Sequence, residues 1–308
     1  MNTPKKIVIT GATGFLGKRL VAALSAKGYA LVIFSRSPDS ARKTLGAQHE
    51  YRAWQGGESP ELHTAVNGAH AVIHLAGASV AGGRWTEKYK ALILNSRTRG
   101  TQAVSTAIVQ AEHPPKVFFC ASAVGYYGNS GDDYCRETTP PAKDFLAMVC
   151  TEWEAATKPA ETKTRVVRGR IGVVLDKHEG ALAKMLLPFK LFIGGHLGSG
   201  RQWFSWVHPD DVVGMILWSL EQPAVRGAMN IVAPEAVRMA DFAKALGKIL
   251  RRPSMFPVPA FVLKLILGEQ AWIAISGQHV LPEVAKNNGY TFHFPKLEGA
   301  LGDLVGKS

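Results

Sequence analysis

Residues 9–20 read ITGATGFLGKRL, and the three glycines in that stretch, Gly11, Gly14 and Gly17, decide the fold. A β-branched run, KIVIT (6–10), leads into them. A segment with apolar residues at helical spacing, LGKRLVAALSAKG (16–28), leads out. A glycine loop between a strand and a helix is the context a dinucleotide-binding turn requires. The first glycine permits a sharp turn, the second lets the backbone approach a pyrophosphate, and the third lets helix and strand pack closely. The helix start then offers unpaired N–H groups and a positive dipole end to the phosphates. Gly11, Thr13, Gly14, Phe15, Leu16 and Gly17 are therefore the expected cofactor contacts.

The second strand, LVIFS (31–35), ends in Ser35 and Arg36, with no acid before Asp39. An NAD site usually carries Asp or Glu here to accept from the ribose 2′-hydroxyl. An arginine suits a 2′-phosphate instead, so NADP is the expected cofactor, with Ser35 and Arg36 at its phosphate. The run AVIHLAG (71–77) ends in small residues that let the cofactor pass close to the backbone, which places Leu75, Ala76 and Gly77 in the same site. His70 and His74 have the spacing of a helical metal site. On a strand, however, four residues span ~13 Å, so they are expected to pack rather than to bind a metal, and no metal is expected.

Outward from the loop, strands and helices alternate. The helix of 16–28 is followed by 31–35, a polar segment, 71–77, a long helix near 86–111, KVFFCAS (116–122), a helix near 143–157 and RVVRGRIGVVL (165–175). Such βαβ units predict an α/β fold, a Rossmann-type doubly wound parallel sheet. Uninterrupted apolar strands agree with burial on both faces. From about residue 177 the chain becomes irregular and rich in Gly, Pro and Trp, before a helix at 210–221, a strand at 227–233 and a helix at 238–251. We expect residues 1–175 to form the cofactor domain and 176–308 a smaller substrate lobe that partly returns to the sheet.

The 46% apolar and 19% charged composition is globular. The most apolar segment, FVLKLILG (261–268), is broken by Lys264 and too short to span a bilayer. MNTPKK runs directly into a strand-like segment, so no signal peptide is expected and the cytoplasm is the expected compartment. Cys120, Cys135 and Cys150 lie fifteen residues apart without a C-x-x-C, which argues against disulfides and a zinc site. The net charge of +12 is spread without a basic run, so it fits an anionic cofactor better than nucleic acid. The expected partner is a small-molecule substrate, with a homodimer if the chain self-associates, and with neither nucleic acid nor membrane.

TGATGFLG, HLAG, LNSRTRGT, CASAVGYYG and WVHPDD together resemble the extended short-chain dehydrogenase/reductases. More narrowly, LPFKLFIGGHLGSGRQWFSWVH (187–208), PVPAFVLKLILG (257–268) and GYTFHFP (289–295) resemble the atypical epimerase-family branch with an added C-terminal segment. The resemblance covers nearly the whole chain. It implies a nicotinamide cofactor and a catalytic Ser–Tyr–Lys set, in which lysine and the nicotinamide ribose lower the tyrosine pKa. The serine corresponds to Ser122. The tyrosine and lysine positions fall on Leu146 and Cys150, in DFLAMVCTEWE (144–154), and no Tyr-x-x-x-Lys exists anywhere in the chain. Arg97 replaces the usual asparagine of the long helix and supplies fixed positive charge near the cofactor. It is no base, because its pKa is too high.

Tyr126 and Tyr127, just past a strand's C-terminal end, are the remaining hydroxyl acid/base candidates, while the resemblance implies that Ser122 orients the substrate hydroxyl or carbonyl. Arg201, Trp206 and His208 are the expected substrate contacts, in a loop through which the family's relatives touch substrate. Arginine there suits an anionic group and indole a flat one, while filling the gap between the lobes is an equal reading of the tryptophans. Asp210 or Asp211 is expected to cap the helix that follows. Arg168 and Arg170 share one face of their strand, with one of them expected to hold the loop or the substrate. Two readings stay open: an oxidoreductase or epimerase acting on a small hydroxyl or carbonyl compound, and an NADP-binding sensor or assembly protein with little turnover.

Overall fold

The computed structural model describes residues 4–306. Seven parallel strands form the central sheet: β1 (Lys6–Thr10), β2 (Ala30–Ser35), β3 (Glu50–Ala53), β4 (Ala71–His74), β5 (Val117–Ala123), β6 (Arg165–Ile171) and β7 (Gly227–Ile231). Their order is β7-β6-β5-β4-β1-β2-β3. The chain runs outward from β1 to β3, then restarts at β4 on the other side of β1. The crevice between the C-terminal ends of β1 and β4 is thus the topological switch point, where ligands of such sheets bind.

Helices α1 (Phe15–Ala26), α2 (Pro38–Leu45), α3 (Pro60–Val66), α4 (Glu87–Gln110), α5 (Phe145–Ala155), α6 (Gly180–Lys190), α7 (Pro209–Glu221), α8 (Met239–Leu250) and α9 (Ala260–Leu267) follow in chain order. One face of the sheet is covered by α1 and α7, through Leu20, Val21, Leu24, Val212, Met215 and Ile216. The other is covered by α3, α4 and α5, through Leu62, Val66, Val104, Ile108 and Trp153. Burial on both faces is why Ile7, Val8 and Ile9 are all apolar and all fully buried.

The smaller lobe has its own core, in which Leu182, Phe189, Phe204, Trp206, Phe242 and Leu301 pack together. Residues 209–231, although they lie past residue 176, belong to the sheet unit, because α7 packs on α1 and β7 closes one edge. The C-terminal segment is tied back at two places. His279–Val280 pairs with Tyr134–Cys135, and Asp211 accepts from the backbone N–H groups of His293 (2.8 Å) and Phe294 (2.9 Å).

Candidate dinucleotide site and the sealed network beside it

Each glycine of the opening loop meets a different constraint. Gly11 has φ of 72°, and a β-carbon there would lie 2.7 Å from the backbone of Leu75 and Ala76. A β-carbon on Gly17 would lie 2.3 Å from the Gly11 carbonyl oxygen. Gly14 differs, because a β-carbon there would meet only the Gly11 oxygen, at 3.3 Å. Thr13 and Gly14 face solvent, with Phe15 and Leu16 half-buried behind them. Gly14 is the N-cap of α1, no side chain among the described residues caps that helix, and its first turn carries no acid. A side-chain cap ordinarily satisfies such orphan N–H groups. Here they are left for an anion, so the loop fits the pyrophosphate of a dinucleotide.

At the end of β2, Ser35 Oγ accepts from the Ser37 N–H at 3.3 Å. Arg36 is exposed and makes no ion pair among the described residues. At the end of β4, Leu75, Ala76 and Gly77 lie beside Gly11. The guanidinium of Arg97 rests against Gly77, stacks 4.9 Å over the Trp153 ring, and donates to the carbonyls of Ala78 (2.9 Å) and Ile93 (3.0 Å). Burial draws its pKa down from the usual arginine value. Arg97 therefore braces the loop after β4 from behind. His74 lies in the packed layer: its Nδ1 pairs with Thr10 Oγ1 at 2.6 Å, and burial, then Arg97, lower its pKa to about 4. His70 stacks on Tyr29.

The expected catalytic side chains are placed differently. Cys120 and Ser122 alternate onto the face of β5 that α3, α4 and α5 cover. Ser122 is 3% exposed and donates to Glu154 Oε1 at 2.7 Å. Glu154 in turn holds Arg170 through both oxygens, at 2.8 and 2.9 Å. Arg170 continues to the Tyr127 hydroxyl (2.9 Å), which donates to Asn230 Oδ1 at 2.7 Å. The result is a closed chain of partners, Ser122–Glu154–Arg170–Tyr127–Asn230, with Arg170 and Glu154 side chains only 5% and 12% exposed. Tyr127 is 4% exposed, and burial raises its pKa above the ordinary phenol value despite Arg170. The expectations of Ser122 as a substrate-orienting group and of Tyr127 as an acid/base group are thus corrected, since both are buried and bonded to buried partners.

Tyr126 stands apart. It is half-buried, the Arg170 guanidinium stacks 3.5 Å from its ring centre, and its hydroxyl has no hydrogen-bond partner among the described residues. Cys150, in the position of the missing lysine, is buried, and desolvation followed by Glu154 pushes its pKa up to about 12. It is a neutral packing thiol.

Two expected substrate contacts also lie in the interior. Trp206 is wholly buried, with its indole N–H donating to the Glu235 carbonyl at 2.9 Å. His208 is 1% exposed and stacks on Phe294 at 3.7 Å. Its Nδ1 accepts from the Asp210 N–H at 3.2 Å, so His208 itself caps α7. Burial lowers its pKa despite nearby aspartates, and Nε2 pairs with Asp303 at 3.2 Å. The expectation of Trp206 and His208 as substrate contacts is corrected accordingly: Trp206 fills the lobe interior, the other role open to it, and His208 holds the start of α7. The expected cap, Asp210 or Asp211, is thereby replaced: Asp210 supplies the N–H that His208 accepts, and Asp211 binds the C-terminal segment.

Arg201 is exposed and lines a cleft of about 560 Å³ with Asn129, Asp132, Gln202 and Arg238. Beside it, Arg238 stacks 3.8 Å over Trp203, whose other stacking partner is His279 at 3.6 Å. Glu154, Arg170 as its partner, and Asn230 escaped sequence reasoning as one group. The available signal was helical spacing, which puts Glu154 one turn beyond Cys150 on the same face.

A parallel sheet whose switch point carries an uncapped glycine loop, with a partner-free arginine at the end of β2, defines a Rossmann protein built for a phosphorylated dinucleotide. The sequence profile described as the NAD dependent epimerase/dehydratase family matches residues 7–232, and a domain of unknown function, DUF1731, matches residues 258–304. This chain belongs to the NAD dependent epimerase/dehydratase family. It is 43% identical over 301 residues to the chloroplastic epimerase family protein SDR39U1 homolog of Arabidopsis thaliana, covering 97% of this chain and 86% of that protein. It is 38% identical over 302 residues to epimerase family protein YfhF of Bacillus subtilis, covering 97% of each. The crystal structure of human SDR39U1 with NADPH matches at a TM-score of 0.88 and 34% identity, covering 97% of this chain and 99% of that one. A UDP-glucuronic acid 4-epimerase from Bacillus cereus shares the fold at a TM-score of 0.77 and 16% identity.

Proposed function

We propose that this chain binds NADP and acts as an oxidoreductase or epimerase on a small hydroxyl or carbonyl substrate, with Tyr126 as its proton-transferring group. The NADPH-bound human relative supports the cofactor, as does Arg36, an exposed cation where an NAD site would place an acid. The Gly11–Gly17 loop and the start of α1 hold the pyrophosphate. Ser35 and Arg36 receive the 2′-phosphate, and Leu75–Gly77, braced by Arg97, leave room for the cofactor along the crevice. Bound nicotinamide supplies hydride transfer, so the chain must supply orientation and one proton route.

The observation that carries the enzymatic reading is Tyr126. It lies past the C-terminal end of β5, its ring is fixed under Arg170, and its hydroxyl has no competing partner among the described residues. Arg201 offers an anionic substrate group a cation at the neighbouring cleft. The test is NADPH oxidation against a panel of aldehydes, ketones and quinones. Tyr126→Phe should lower kcat by about 100-fold or more, the usual loss of a general acid, while Cys150→Ser leaves it intact. Equal rates for wild type and Tyr126→Phe would remove Tyr126 from the chemistry.

A second reading, an NADP-binding sensor or assembly protein, draws on the sealed network. Ser122, Tyr127 and Cys150 are all unavailable for proton transfer, which leaves a single candidate hydroxyl. Tight NADPH binding without oxidation of any substrate in the panel would favour it.

A further inference from the structure

The smaller lobe exposes apolar side chains of a kind a soluble surface ordinarily hides. The end of α6 presents Phe192 and Ile193 at 54% and 55% exposure, and the following ribbon presents Met255 at 76%. The eight-residue α9, AFVLKLIL, buries only Leu263, leaving Phe261, Leu265 and Ile266 at 72%, 79% and 62%. These pieces are joined. Phe256 N–H donates to the Gly194 carbonyl at 3.0 Å, Val258 N–H to the His196 carbonyl at 2.9 Å, and α9 leaves this ribbon directly after Pro259. Phe192 is held at φ 64°, in the left-handed region that a bulky residue avoids, with Arg252 over its ring at 4.3 Å. A contiguous patch of this kind on a soluble protein marks an interaction surface.

Charge identifies what it meets. The stretches 184–199 and 248–268, which build the patch, contain Lys184, Lys190, Lys248, Arg251, Arg252 and Lys264 and not one Asp or Glu. None of these six cations forms an ion pair among the described residues. A symmetric contact with a second copy would set these cations against themselves. A bilayer surface rich in acidic phospholipid offers both halves of the complement: acyl boundary for the phenylalanines, leucine and isoleucine, and phosphate for the lysines and arginines.

We propose that this face, the α6 end, the 252–258 ribbon and α9, docks the protein peripherally on an anionic membrane surface. No helix among the described residues is long and apolar enough to cross a membrane. The sequence expectation of no membrane partner rested on that criterion, which does not detect a surface-lying apolar helix. The proposal stands independently of the oxidoreductase reading.

The test is co-sedimentation of the full chain with phosphatidylcholine vesicles, with and without phosphatidylglycerol. Binding should require phosphatidylglycerol and weaken in high salt. The triple variant Phe261→Ser, Leu265→Ser, Ile266→Ser and the triple variant Arg251→Glu, Arg252→Glu, Lys264→Glu should each reduce the vesicle-bound fraction about 10-fold or more. All six side chains lie at the patch, so both variants should melt cooperatively close to wild type. Absence of binding to phosphatidylglycerol vesicles at low salt would overturn the proposal, as would binding unchanged in both variants. A wild-type dimer that the serine variant converts to monomer, with no vesicle binding, would assign the face to a second copy instead.

Discussion

Removing either end of the Glu154–Arg170 pair should destabilise the protein far more than removing both. The pair is bidentate, at 2.8 and 2.9 Å, and almost entirely shielded from water. Arg170→Met leaves a buried carboxylate with only the Ser122 hydroxyl as donor. Glu154→Leu leaves a buried guanidinium with only the Tyr127 hydroxyl and the Glu137 carbonyl as acceptors. An uncompensated buried charge costs about 3–5 kcal/mol, which for a protein of this size lowers Tm by roughly 5–8 °C. The double variant has no orphaned charge. What remains is a Ser122 hydroxyl without its acceptor and a Tyr127 hydroxyl still bonded to Asn230, a loss of about 1–2 kcal/mol. The double variant should therefore be more stable than either single one, with a coupling energy above ~2 kcal/mol. Urea unfolding of the four proteins at constant m-value measures this. Single variants losing less than ~1 kcal/mol, or a double variant losing the sum of the two, would refute the closed network.

Gly14→Ala should keep its melting temperature within a few degrees of wild type while losing NADPH affinity, because its β-carbon would touch only one atom among the described residues and would stand on the loop proposed for the pyrophosphate. Gly11→Ala should lower both, since it is strained at φ 72° and collides with the β4 end; thermal melts with and without NADPH separate the two cases. Stability should fall as pH drops from about 6.5 towards 4, because the folded state holds His74 neutral with its pKa at about 4, whereas the unfolded state binds its proton from ~6.5 downward. His74→Leu should flatten that part of the Tm–pH profile relative to wild type. Cys120 and Cys150, each buried and pushed up to about 12, should resist iodoacetamide at pH 8 in the folded protein and react on unfolding, as read by mass spectrometry.

The cofactor loop was legible in the sequence because all of its determinants are local: strand, three glycines and helix fall within about twenty residues. The strands AVIH and VFFCAS were legible for the same reason, as buried parallel strands with no polar alternation to confuse them. β3 was not. Its sequence, EYRA, turns only Tyr51 inward at the sheet edge, so it carries almost no apolar pattern. α6 read as irregular because Pro188 lies inside it and glycines follow. The catalytic assignments failed for a different reason. The network partners are separated by 16 residues (Glu154–Arg170), 32 (Ser122–Glu154), 43 (Tyr127–Arg170) and 103 (Tyr127–Asn230), so no single helix or strand contains a bonded pair. Trp206 resembles a substrate platform in a Gly- and Trp-rich loop. Only the fold shows that Glu235 satisfies its N–H and the lobe core encloses its ring.

The central claim, that this Rossmann site is made for NADP, is tested most directly by calorimetric titration of wild type and Arg36→Ala with NADPH and NADH. The account predicts NADPH binding at least about 10-fold tighter than NADH, a preference that Arg36→Ala should abolish by removing the cation proposed for the 2′-phosphate. Equal affinity for the two cofactors in wild type, or binding of neither, would contradict it.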